Sequence, residues 1–316
     1  MSTCIREKKP ATYKYIFGPV PSRRLGRSLG VDLVPLKTCT FDCVFCEVGV
    51  TTLNTLDRRE YAPANTIVAE LRDWIKSGGK ADYITLAGSG EPTLHTGFGV
   101  ILDKIRGLCS IRTALLTNGS LLNLPEVRRA ASKADVVKVS LSAWNQTSFK
   151  KVNRPNPGVT FETLLTGLRT FRAGFKGELW LEVVAIAGYN DSVSAMKKIA
   201  RLAESFRPDL IHLNTVVRPP AEAVSGVSRG RLERFADLFT PRAEIVGEMN
   251  TGTRRGRSAE SHEIVAMLRR RPCTIADIAA GLGLRKKDAS TAIALLLSGG
   301  MVRTLKRGTK VYYVSG

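Results

Sequence analysis

Histidine is scarce in this chain, with three residues among 316. His95, His212 and His262 are far apart in the sequence, so they form no histidine-rich metal site, and no Ser-His-Asp arrangement is evident. Acid–base catalysis by histidine is therefore poorly supported. His212 lies inside an apolar run, where a packed, hydrogen-bonded histidine is the ordinary interpretation and a contact to a ligand is the alternative.

The sequence also lacks any hydrophobic run near the ~20 residues that cross a bilayer. Its first nine residues are polar and charged, which is not the pattern of a secretory signal peptide. We therefore expect a cytoplasmic protein with no membrane partner. A chain of this length can bury one large core and a smaller second one.

Acidic residues are outnumbered, 28 against 48 basic residues, so the formal net charge is +20. Such an excess predicts an anionic partner, with nucleic acid (RNA or DNA) as the first candidate. A generally basic proteome is the alternative explanation. The charge is uneven, because residues 251–316 contain 13 of the basic and 4 of the acidic residues. One fifth of the chain thus carries nearly half of the net charge.

Three of the six cysteines are close together, since Cys39, Cys43 and Cys46 form a C-x₃-C-x₂-C run. Three thiolates on one loop can hold three irons of a cubane [4Fe–4S] cluster and leave the fourth iron open. A structural zinc site would normally need a second pair of cysteines or histidines, and none is nearby. Disulfides would leave an odd cysteine unpaired. The remaining cysteines are scattered and are expected to be ordinary thiols: Cys4, Cys109 and Cys273.

Apolar runs alternate with amphipathic segments through the first two thirds of the chain. The runs fit strands buried on both faces and the segments fit helices, which is the pattern of right-handed βαβ units with a parallel sheet. Six such units predict an α/β fold, a partial (β/α)₆ TIM-type barrel with reactive groups at the carboxyl ends of its strands. The expected strands are residues 31–35, 83–87, 113–117, 136–141, 179–186 and 210–215, and the expected helices are 67–76, 98–106, 125–132, 161–171 and 192–206.

Small and polar residues follow several of these strands. Ser89, Gly90 and Glu91 come after the second strand, where small residues let the backbone approach a ligand and Glu91 adds a carboxylate. A tight βα turn would explain these residues equally well. The third and fourth strands also end in polar side chains: Asn118, Ser140 and Ser142.

The chain changes character after residue 248. Residues 249–258 have the composition of a flexible basic linker. Residues 259–316 resemble a winged helix-turn-helix, with three helices followed by a basic hairpin. We therefore expect two domains, 1–248 and 259–316. The helices are expected at residues 260–271, 274–280 and 287–297, and the hairpin at 301–314.

The basic residues of this second domain predict a nucleic-acid surface. Phosphate contacts would come from the start of its third helix and from its hairpin. Winged helices that bind proteins or act as docking modules are the alternative. The expected phosphate contacts are Arg285, Lys286, Lys287, Arg303, Lys306, Arg307 and Lys310.

The cysteine run, with Phe45 just before its last cysteine, resembles the signature of the radical S-adenosylmethionine (SAM) superfamily. In this family the open iron binds the amino and carboxylate groups of SAM. One electron then cleaves SAM to methionine and a 5′-deoxyadenosyl radical, which abstracts hydrogen from a substrate. The resemblance implies a [4Fe–4S] cluster, SAM and a one-electron donor such as flavodoxin or ferredoxin.

The same resemblance implies roles for individual residues. The three cysteines would bind the cluster and Phe45 would lie along the adenine. Residues 89–91 match the Gly-Gly-Glu segment of the family, which pairs with the SAM amino group, and Ser89 replaces the first glycine. The remaining expected SAM contacts are Asn118 in the SAM pocket and Ser140 and Ser142 at the ribose.

Residues 13–245 resemble one branch of the superfamily in particular, the stand-alone proteins related to the wybutosine-forming tRNA enzymes. Those enzymes have additional N-terminal cysteines, whereas only Cys4 precedes the run here, so their carbon-insertion chemistry is not implied. An arginine-rich segment upstream of the cysteines is an anion-binding candidate. Its arginines are Arg23, Arg24 and Arg27. Arg154 could reach a carboxylate, and Glu182 could face the interior of the barrel.

Three functions remain open from the sequence. The first is a radical SAM enzyme that modifies RNA or another anionic substrate and docks it with the C-terminal domain. The second is a radical SAM enzyme on a peptide or small molecule, with that domain as a protein-docking module. The third is a regulator that senses SAM or redox state through the cluster and binds DNA.

Overall fold

The computed structural model describes residues 13–22, 24–246, 261–269, 272–308 and 310–316. The expected linker at residues 249–258 lies outside the described residues, as do Cys4 and Arg23. The strands are β1 (Ile16–Ser22), β2 (Gly26–Val31), β3 (Thr38–Cys39), β4 (Leu53–Asn54), β5 (Tyr83–Leu86), β6 (Arg112–Thr117), β7 (Val136–Ser140), β8 (Glu178–Ala185), β9 (Leu210–Thr215), β10 (Glu244–Ile245), β11 (Val302–Arg307) and β12 (Lys310–Ser315). The α-helices are α1 (Ala64–Lys76), α2 (Phe98–Leu108), α3 (Pro125–Ala131), α4 (Gln146–Asn153), α5 (Phe161–Gly174), α6 (Val193–Ser205), α7 (Arg229–Ala236), α8 (Ser261–Leu268), α9 (Ile275–Leu282) and α10 (Lys286–Ser298).

One eight-stranded sheet organises residues 16–245, in the order β1-β2-β5-β6-β7-β8-β9-β10. β1 is antiparallel to β2, and each later neighbour in this order is parallel. Helices connect the parallel strands from β5 to β9, so the predicted α/β fold with a largely parallel sheet is confirmed. Besides these, α4, α7 and the edge strands β1 and β10 are present, which the sequence pattern did not indicate.

The first predicted strand is displaced in the structure. It was expected at residues 31–35, whereas β2 ends at Val31 and the following residues begin the cysteine loop. The Asp32 amide still donates to the Tyr15 carbonyl at 2.8 Å, but the Asp32 carboxylate accepts hydrogen bonds from the Ser89 amide and hydroxyl, both at 3.0 Å. These side-chain bonds hold the chain against the loop after β5 and direct it away from the sheet.

The two faces of the sheet have different chemistry because strand side chains alternate. One face packs against the helices and contributes mainly aliphatic side chains to the main core. Its members include Leu29, Ile84, Leu115, Val137, Leu181 and Leu213. The opposite face carries polar and charged side chains, among them Ser28, Thr85, Lys138, Glu182, His212 and Asn214. Strand register places Glu182 beside Ser140 on one side and His212 on the other.

The three predicted C-terminal helices and the hairpin are present as α8, α9, α10 and the antiparallel pair β11–β12. They enclose a second hydrophobic cluster, separate from the main core, around Ile264, Ile278 and Ile293. α9 begins with a capping box, in which Thr274 accepts from the Asp277 amide and Asp277 accepts from the Thr274 amide. We call residues 261–316, as far as they are described, the C-terminal module. None of the described helices combines the length and the apolar character that a membrane span requires.

Candidate active site

The three clustered cysteines lie on the loop between β2 and α1. Short pairing of β3 with β4 closes this loop, and the Val44 amide donates to the Val152 carbonyl at 3.1 Å. The Asp42 amide similarly donates to the Asn153 carbonyl at 3.2 Å, so the loop is fixed to the end of α4. None of the cysteines that the structure describes forms a disulfide.

Each of the three thiols accepts a hydrogen bond from a different side chain. Asn118 Nδ2 lies 3.5 Å from Cys39 Sγ, Asn153 Nδ2 lies 3.4 Å from Cys43 Sγ, and Lys37 Nζ lies 3.1 Å from Cys46 Sγ. Asn118 was predicted as a site residue, whereas Lys37 and Asn153 were not. Hydrogen bonds to ligand sulfurs hold the thiolate form and tune the reduction potential of an iron–sulfur centre.

The protein environment keeps two of these thiols protonated when no metal is bound. Burial, and secondarily the Glu91 carboxylate, raises the pKa of Cys39 to about 12. Burial also raises the pKa of Cys43 well above its ordinary value, with the neighbouring cysteines adding to the effect. Metal binding at these sulfurs therefore has to displace protons.

The donor set fits a cubane cluster better than a single metal ion. In the described ranges, no three His, Cys, Asp or Glu side chains lie close enough together to hold one ion. In a [4Fe–4S] cluster each thiolate binds a different iron, so its three cysteines stand farther apart than the ligands of a zinc ion. Three soft thiols on one loop, each with its own hydrogen-bond donor, match that requirement.

Residues 88–91 pack directly against the cysteine loop. The Lys37 amide donates to the Ser89 carbonyl at 2.6 Å, and the Glu91 amide donates to the Thr38 carbonyl at 3.1 Å. A side chain at Gly90 would meet the Thr38 carbonyl oxygen at 1.9 Å, which only glycine avoids. The small residues of this segment thus permit the approach of the cysteine loop itself.

Glu91 points into the protein rather than into open space. Its carboxylate is 2% exposed and accepts from the Thr93 and Thr117 hydroxyls, each at 2.6 Å, and from the Asn118 amide at 2.7 Å. Burial raises the pKa of Glu91 despite these hydrogen bonds. The carboxylate therefore orients Asn118, whose side chain reaches Cys39.

A cavity of about 360 Å³ begins at the cysteine loop and extends along the polar face of the sheet. Phe45, Cys46 and Glu47 line one part of it, and Arg24, Glu182, Asn214 and Arg218 line another. Of the predicted SAM contacts, the structure brings Phe45 to this cavity. The others do not line it: Ser89, Gly90, Glu91, Asn118, Ser140 and Ser142.

Two of these residues have defined surroundings of their own. Ser140 is half-buried at the carboxyl end of β7. The Ser142 side chain is buried, and its hydroxyl accepts from the Val184 amide at 3.0 Å. The roles of both at the ribose remain predictions.

Glu182 faces the cavity and lies between two cations. Arg24 Nη2 binds one of its carboxylate oxygens and Lys138 Nζ binds the other. Burial alone would raise the pKa of Glu182, but Arg24 and Lys138 together hold it at about 2. Burial, with Lys138 and Arg24 adding to it, lowers the pKa of His212 to about 4, so this histidine is neutral at pH 7. Sequence alternation left open whether Glu182 faces inward; the structure places it there.

The other arginines singled out in the sequence have separate partners. Arg27 pairs with Asp82 at 3.0 Å on the surface. Arg154 reaches the Glu222 carboxylate at 2.7 Å. Of the arginine-rich segment, Arg24 is thus the described member that lies at the cavity.

A short segment after β9 joins the cysteine loop to the C-terminal module. We call residues 217–222 the strap. The Ala221 amide donates to the Cys46 carbonyl at 2.9 Å, while the Tyr312 hydroxyl of the module donates to the Val217 carbonyl at 2.9 Å. Arg218, 5% exposed, lies between Glu47 at 2.8 Å and Asp277 of α9 at 3.4 Å. Met267 of α8 lines the cavity, so the module forms part of its wall.

Most of the predicted nucleic-acid residues lie on the surface of the module. Arg307 is the exception, because its guanidinium donates to the Val224 carbonyl, which lies outside the module. Arg285 is exposed and pairs with Asp288 at 2.7 Å. The other exposed members are Lys286, Lys287, Arg303, Lys306 and Lys310.

Comparison with known proteins agrees with this site. The model of the radical SAM superfamily matches residues 33–203. A UPF0026 protein from Methanocaldococcus jannaschii is 32% identical over 73% of this chain and 72% of its own length. A probable dual-specificity RNA methyltransferase RlmN from Thermotoga sp. is 27% identical over 64% of this chain and 58% of its own length.

One relative has a name from a different class of protein. A GTPase Obg from Brachyspira hyodysenteriae is 32% identical over 94% of this chain, but this chain spans only 45% of that protein. The present sequence contains no G-x-x-x-x-G-K-[ST] phosphate-binding loop, so the GTPase name is not transferred to it.

A solved structure supports the fold. A radical SAM methyltransferase from Sphaerobacter thermophilus superposes with a TM-score of 0.52 at 21% identity, covering 69% of this chain and 65% of its own. The family match spans more than half of the chain and includes the cysteine loop, β5 to β8 and the intervening helices. This chain therefore belongs to the radical SAM superfamily, whose enzymes use a [4Fe–4S] cluster and SAM.

Proposed function

We propose that this protein cleaves SAM reductively to a 5′-deoxyadenosyl radical and uses the radical to modify an anionic substrate. The observation that carries the proposal is the position of the cysteine loop. Three thiols, each with its own hydrogen-bond donor, lie on a loop that opens through Phe45 and Cys46 onto a cavity lined with buried charges.

Cys39, Cys43 and Cys46 would hold the cluster. When bound there, a [4Fe–4S] cluster would supply the electron for reductive cleavage of SAM. Asn118, Asn153 and Lys37 stabilise the three thiolates by donating hydrogen bonds to the sulfurs.

The remaining family roles would belong to the residues that match the family's motifs. Phe45 would lie along the adenine, the backbone of residues 89–91 would meet the methionine end, and Ser140 and Ser142 would contact the ribose. Glu91 contributes indirectly, because its buried carboxylate accepts from the Asn118 and Thr93 amides and so fixes Asn118 and the turn at residues 91–93. Since the sequence encodes no second cluster motif, the electron comes from a partner such as flavodoxin or ferredoxin.

The architecture that we propose is a partial (β/α)₆ barrel in residues 1–248, a linker at 249–258 and a winged helix-turn-helix in 259–316. The separate hydrophobic cluster of the C-terminal module supports two domains. The order of strands, with β1 and β10 at the two edges, suits an open barrel.

A second proposed activity is nucleic-acid binding by the C-terminal module. It is favoured by the exposed cations at the start of α10 and along β11, and by the RNA methyltransferase among the relatives. A protein partner for the module, or a DNA-binding regulator without catalysis, would replace this proposal if RNA neither binds nor affects SAM cleavage.

The test is anaerobic reconstitution with iron and sulfide, reduction with dithionite, and measurement of 5′-deoxyadenosine from SAM. The wild-type protein should release it, Cys43→Ala should release none and lose iron, and Cys109→Ala should behave as wild type. Assays with total RNA and with the small-molecule fraction of a cell extract would reveal a substrate requirement. A cluster-loaded protein that binds SAM but releases no 5′-deoxyadenosine under any of these conditions would refute the enzymatic proposal.

A further inference from the structure

Three buried side-chain nitrogens have no hydrogen-bond partner within the described part of the chain: Arg24 Nε, His212 Nδ1 and Arg218 Nε. Arg24 and Arg218 line the cavity beside Cys46, and His212 pairs in register with Glu182, which also lines it. Buried polar atoms are nearly always paired in folded proteins. Their concentration around one cavity points to a ligand that supplies acceptor atoms there.

The charges around Arg24 define what kind of ligand fits. Arg24 and Lys138 both bind the single carboxylate of Glu182, and all three side chains are largely buried, with exposures of 17%, 7% and 10%. Arg24, Lys138 and Glu182 therefore form a group of two cations and one anion, whereas the charge of Arg218 elsewhere on the wall is already matched by Glu47 and Asp277. A second anionic group is the natural complement of that excess, because buried charge is costly unless it is matched.

His212 does not add to the positive charge. Its ring packs edge-on against Trp180, with the ring centroids 5.4 Å apart, and its pKa of about 4 leaves it neutral near pH 7. Arginine, by contrast, stays protonated, so each unpaired Nε can act only as a hydrogen-bond donor. The ligand must therefore present oxygen acceptors rather than donors to Arg24 and Arg218.

The shape of the cavity limits the size of the ligand. Its volume of about 360 Å³ is at the small end of the range for small-molecule sites. Met267 of the C-terminal module forms part of the wall, and Arg218 is held between Glu47 and Asp277. A duplex of nucleic acid does not enter such a space, and we therefore favour a compact metabolite over a nucleic acid as the occupant.

We propose that the substrate is a small molecule with a carboxylate or phosphate group, which Arg24 binds through its Nε–H in the cavity beside Cys46. Arg218 offers a second unpaired N–H donor on the wall of the cavity, although its charge is already matched by Glu47 and Asp277. This inference rests on the proposed function, since it names the class of substrate for the same site. It separates catalysis in the cavity from any binding of nucleic acid to the surface of the module.

The test measures binding to the cluster-loaded, full-length protein in the presence of SAM. The probes are succinate for a carboxylate and glycerol 3-phosphate for a phosphate, with succinamide and glycerol as uncharged controls, followed by anaerobic isothermal titration calorimetry. At least one anion should bind at millimolar concentration and the uncharged controls should not. The stronger of the two anions identifies the group.

Two variants should change this affinity in opposite directions. Arg24→Gln removes the donor and should weaken anion binding about tenfold, the effect of losing one charge-assisted hydrogen bond. Glu182→Gln removes the carboxylate that competes for Arg24 and Lys138, so it should strengthen anion binding. Arg27→Gln is the matched control, because Arg27 is exposed, lies three residues from Arg24 and pairs with Asp82. Stronger anion binding by the Glu182→Gln variant could not be explained by misfolding.

The outcomes distinguish the two proposals. If the protein binds an anion through Arg24 but does not cleave SAM, the anion site is supported and the enzymatic function is refuted. If the protein cleaves SAM but binds neither anion, the enzymatic function is supported and the proposed anion site is overturned. If Arg24→Gln weakens binding of SAM and leaves anion binding unchanged, the guanidinium serves SAM, and the inference is likewise overturned.

Discussion

The ammonium group of Lys37 lies 3.1 Å from the sulfur of Cys46, the last of the three clustered cysteines. Lys37 is only 5% exposed, and its φ of 59° lies in the left-handed region that non-glycine residues rarely adopt. Its backbone amide donates to Ser89, and its carbonyl accepts from the amides of Thr52 and Leu53. The backbone thus fixes a buried cation on one ligand of the proposed cluster.

Removal of this cation should lower the reduction potential of the cluster. A positive charge and a hydrogen bond at a ligand sulfur favour the reduced, more negative cluster. We expect Lys37→Met to shift the midpoint potential downward in an EPR-monitored redox titration, and Lys37→Arg to restore much of it. Lys76→Met, at an exposed position at the end of α1, is the control. An unchanged potential in Lys37→Met, with full iron content, would contradict the role of Lys37.

Glu91→Ala should destabilise the fold as well as the site. The substitution leaves the buried amides of Thr93 and Asn118 without their acceptor, which should reduce the free energy of unfolding by about 2–4 kcal/mol. Urea unfolding measures this value, and Glu162→Ala at an exposed position of α5 should change it by less than about 0.5 kcal/mol. A Glu91→Ala variant of wild-type stability that binds SAM weakly would instead indicate direct contact with SAM.

Stability should fall in acid because of His212. The pKa of His212 is about 4 in the folded protein against an ordinary value of 6.5, so the unfolded chain takes up this proton first. The contribution is fully present above the ordinary value and is lost as the pH falls toward 4, a difference of roughly 3 kcal/mol. Urea unfolding at several pH values should show this slope in the wild type and a flatter one in His212→Gln. Equal slopes in the two proteins would contradict the buried, neutral state of His212.

Asp277→Asn should weaken the contact between the strap and the C-terminal module. The substitution removes the charge that faces Arg218 at 3.4 Å, while an amide can still cap α9 through Thr274. Hydrogen–deuterium exchange should become faster at the amides of Ala221 and Glu222, which donate to the Cys46 and Val44 carbonyls. Asp288→Asn is the matched control, since Asp288 also lies in a first helical turn of the module but pairs with the exposed Arg285. Equal hydrogen–deuterium exchange rates in the two variants would show that Arg218 does not couple the strap to the position of the C-terminal module.

Nucleic-acid binding should depend on the start of α10. The double variant Lys286→Ala, Lys287→Ala should weaken binding to RNA and reduce the slope of log affinity against log salt by about 2, one for each phosphate contact. Lys197→Ala with Lys198→Ala, an adjacent exposed pair on α6, should leave the slope unchanged. Filter binding at several salt concentrations measures both. Equal slopes for the two double variants would show that Lys286 and Lys287 do not contact phosphates, and the positive charge of the module would then serve another partner.

The parallel core of the fold could be predicted because the sequence pattern of each strand and helix lies within that element. Runs such as those of β7 and β8 are mostly apolar, interrupted mainly by Lys138 and Glu182, and helical segments separate them. β1 was not predictable, since Ile16–Ser22 contains Gly18, Pro19 and Pro21, which usually indicate a turn. Its place beside β2 depends on pairing across the chain, which no pattern within seven residues expresses.

The same distinction applies to the site. The cysteine run is a local motif, so its position could be predicted from spacing. Asn153 is 110 positions away from Cys43 along the chain, and only the packing of α4 against the loop brings them to 3.4 Å. The direction of the Glu91 carboxylate is equally non-local, because its partners Thr117 and Asn118 come from the end of the neighbouring strand.

The alternation of β8 restricts how this protein can change in length. Glu182 faces the cavity between Arg24 and Lys138, while Leu181 and Val183 belong to the helix-packed core. A single residue inserted before Glu182 within the strand would exchange these faces, burying the carboxylate among leucines and presenting an aliphatic side chain to the cavity. Variation in length among proteins that share this site is therefore expected in the loops that precede and follow β8, with the interior of the strand constant in length.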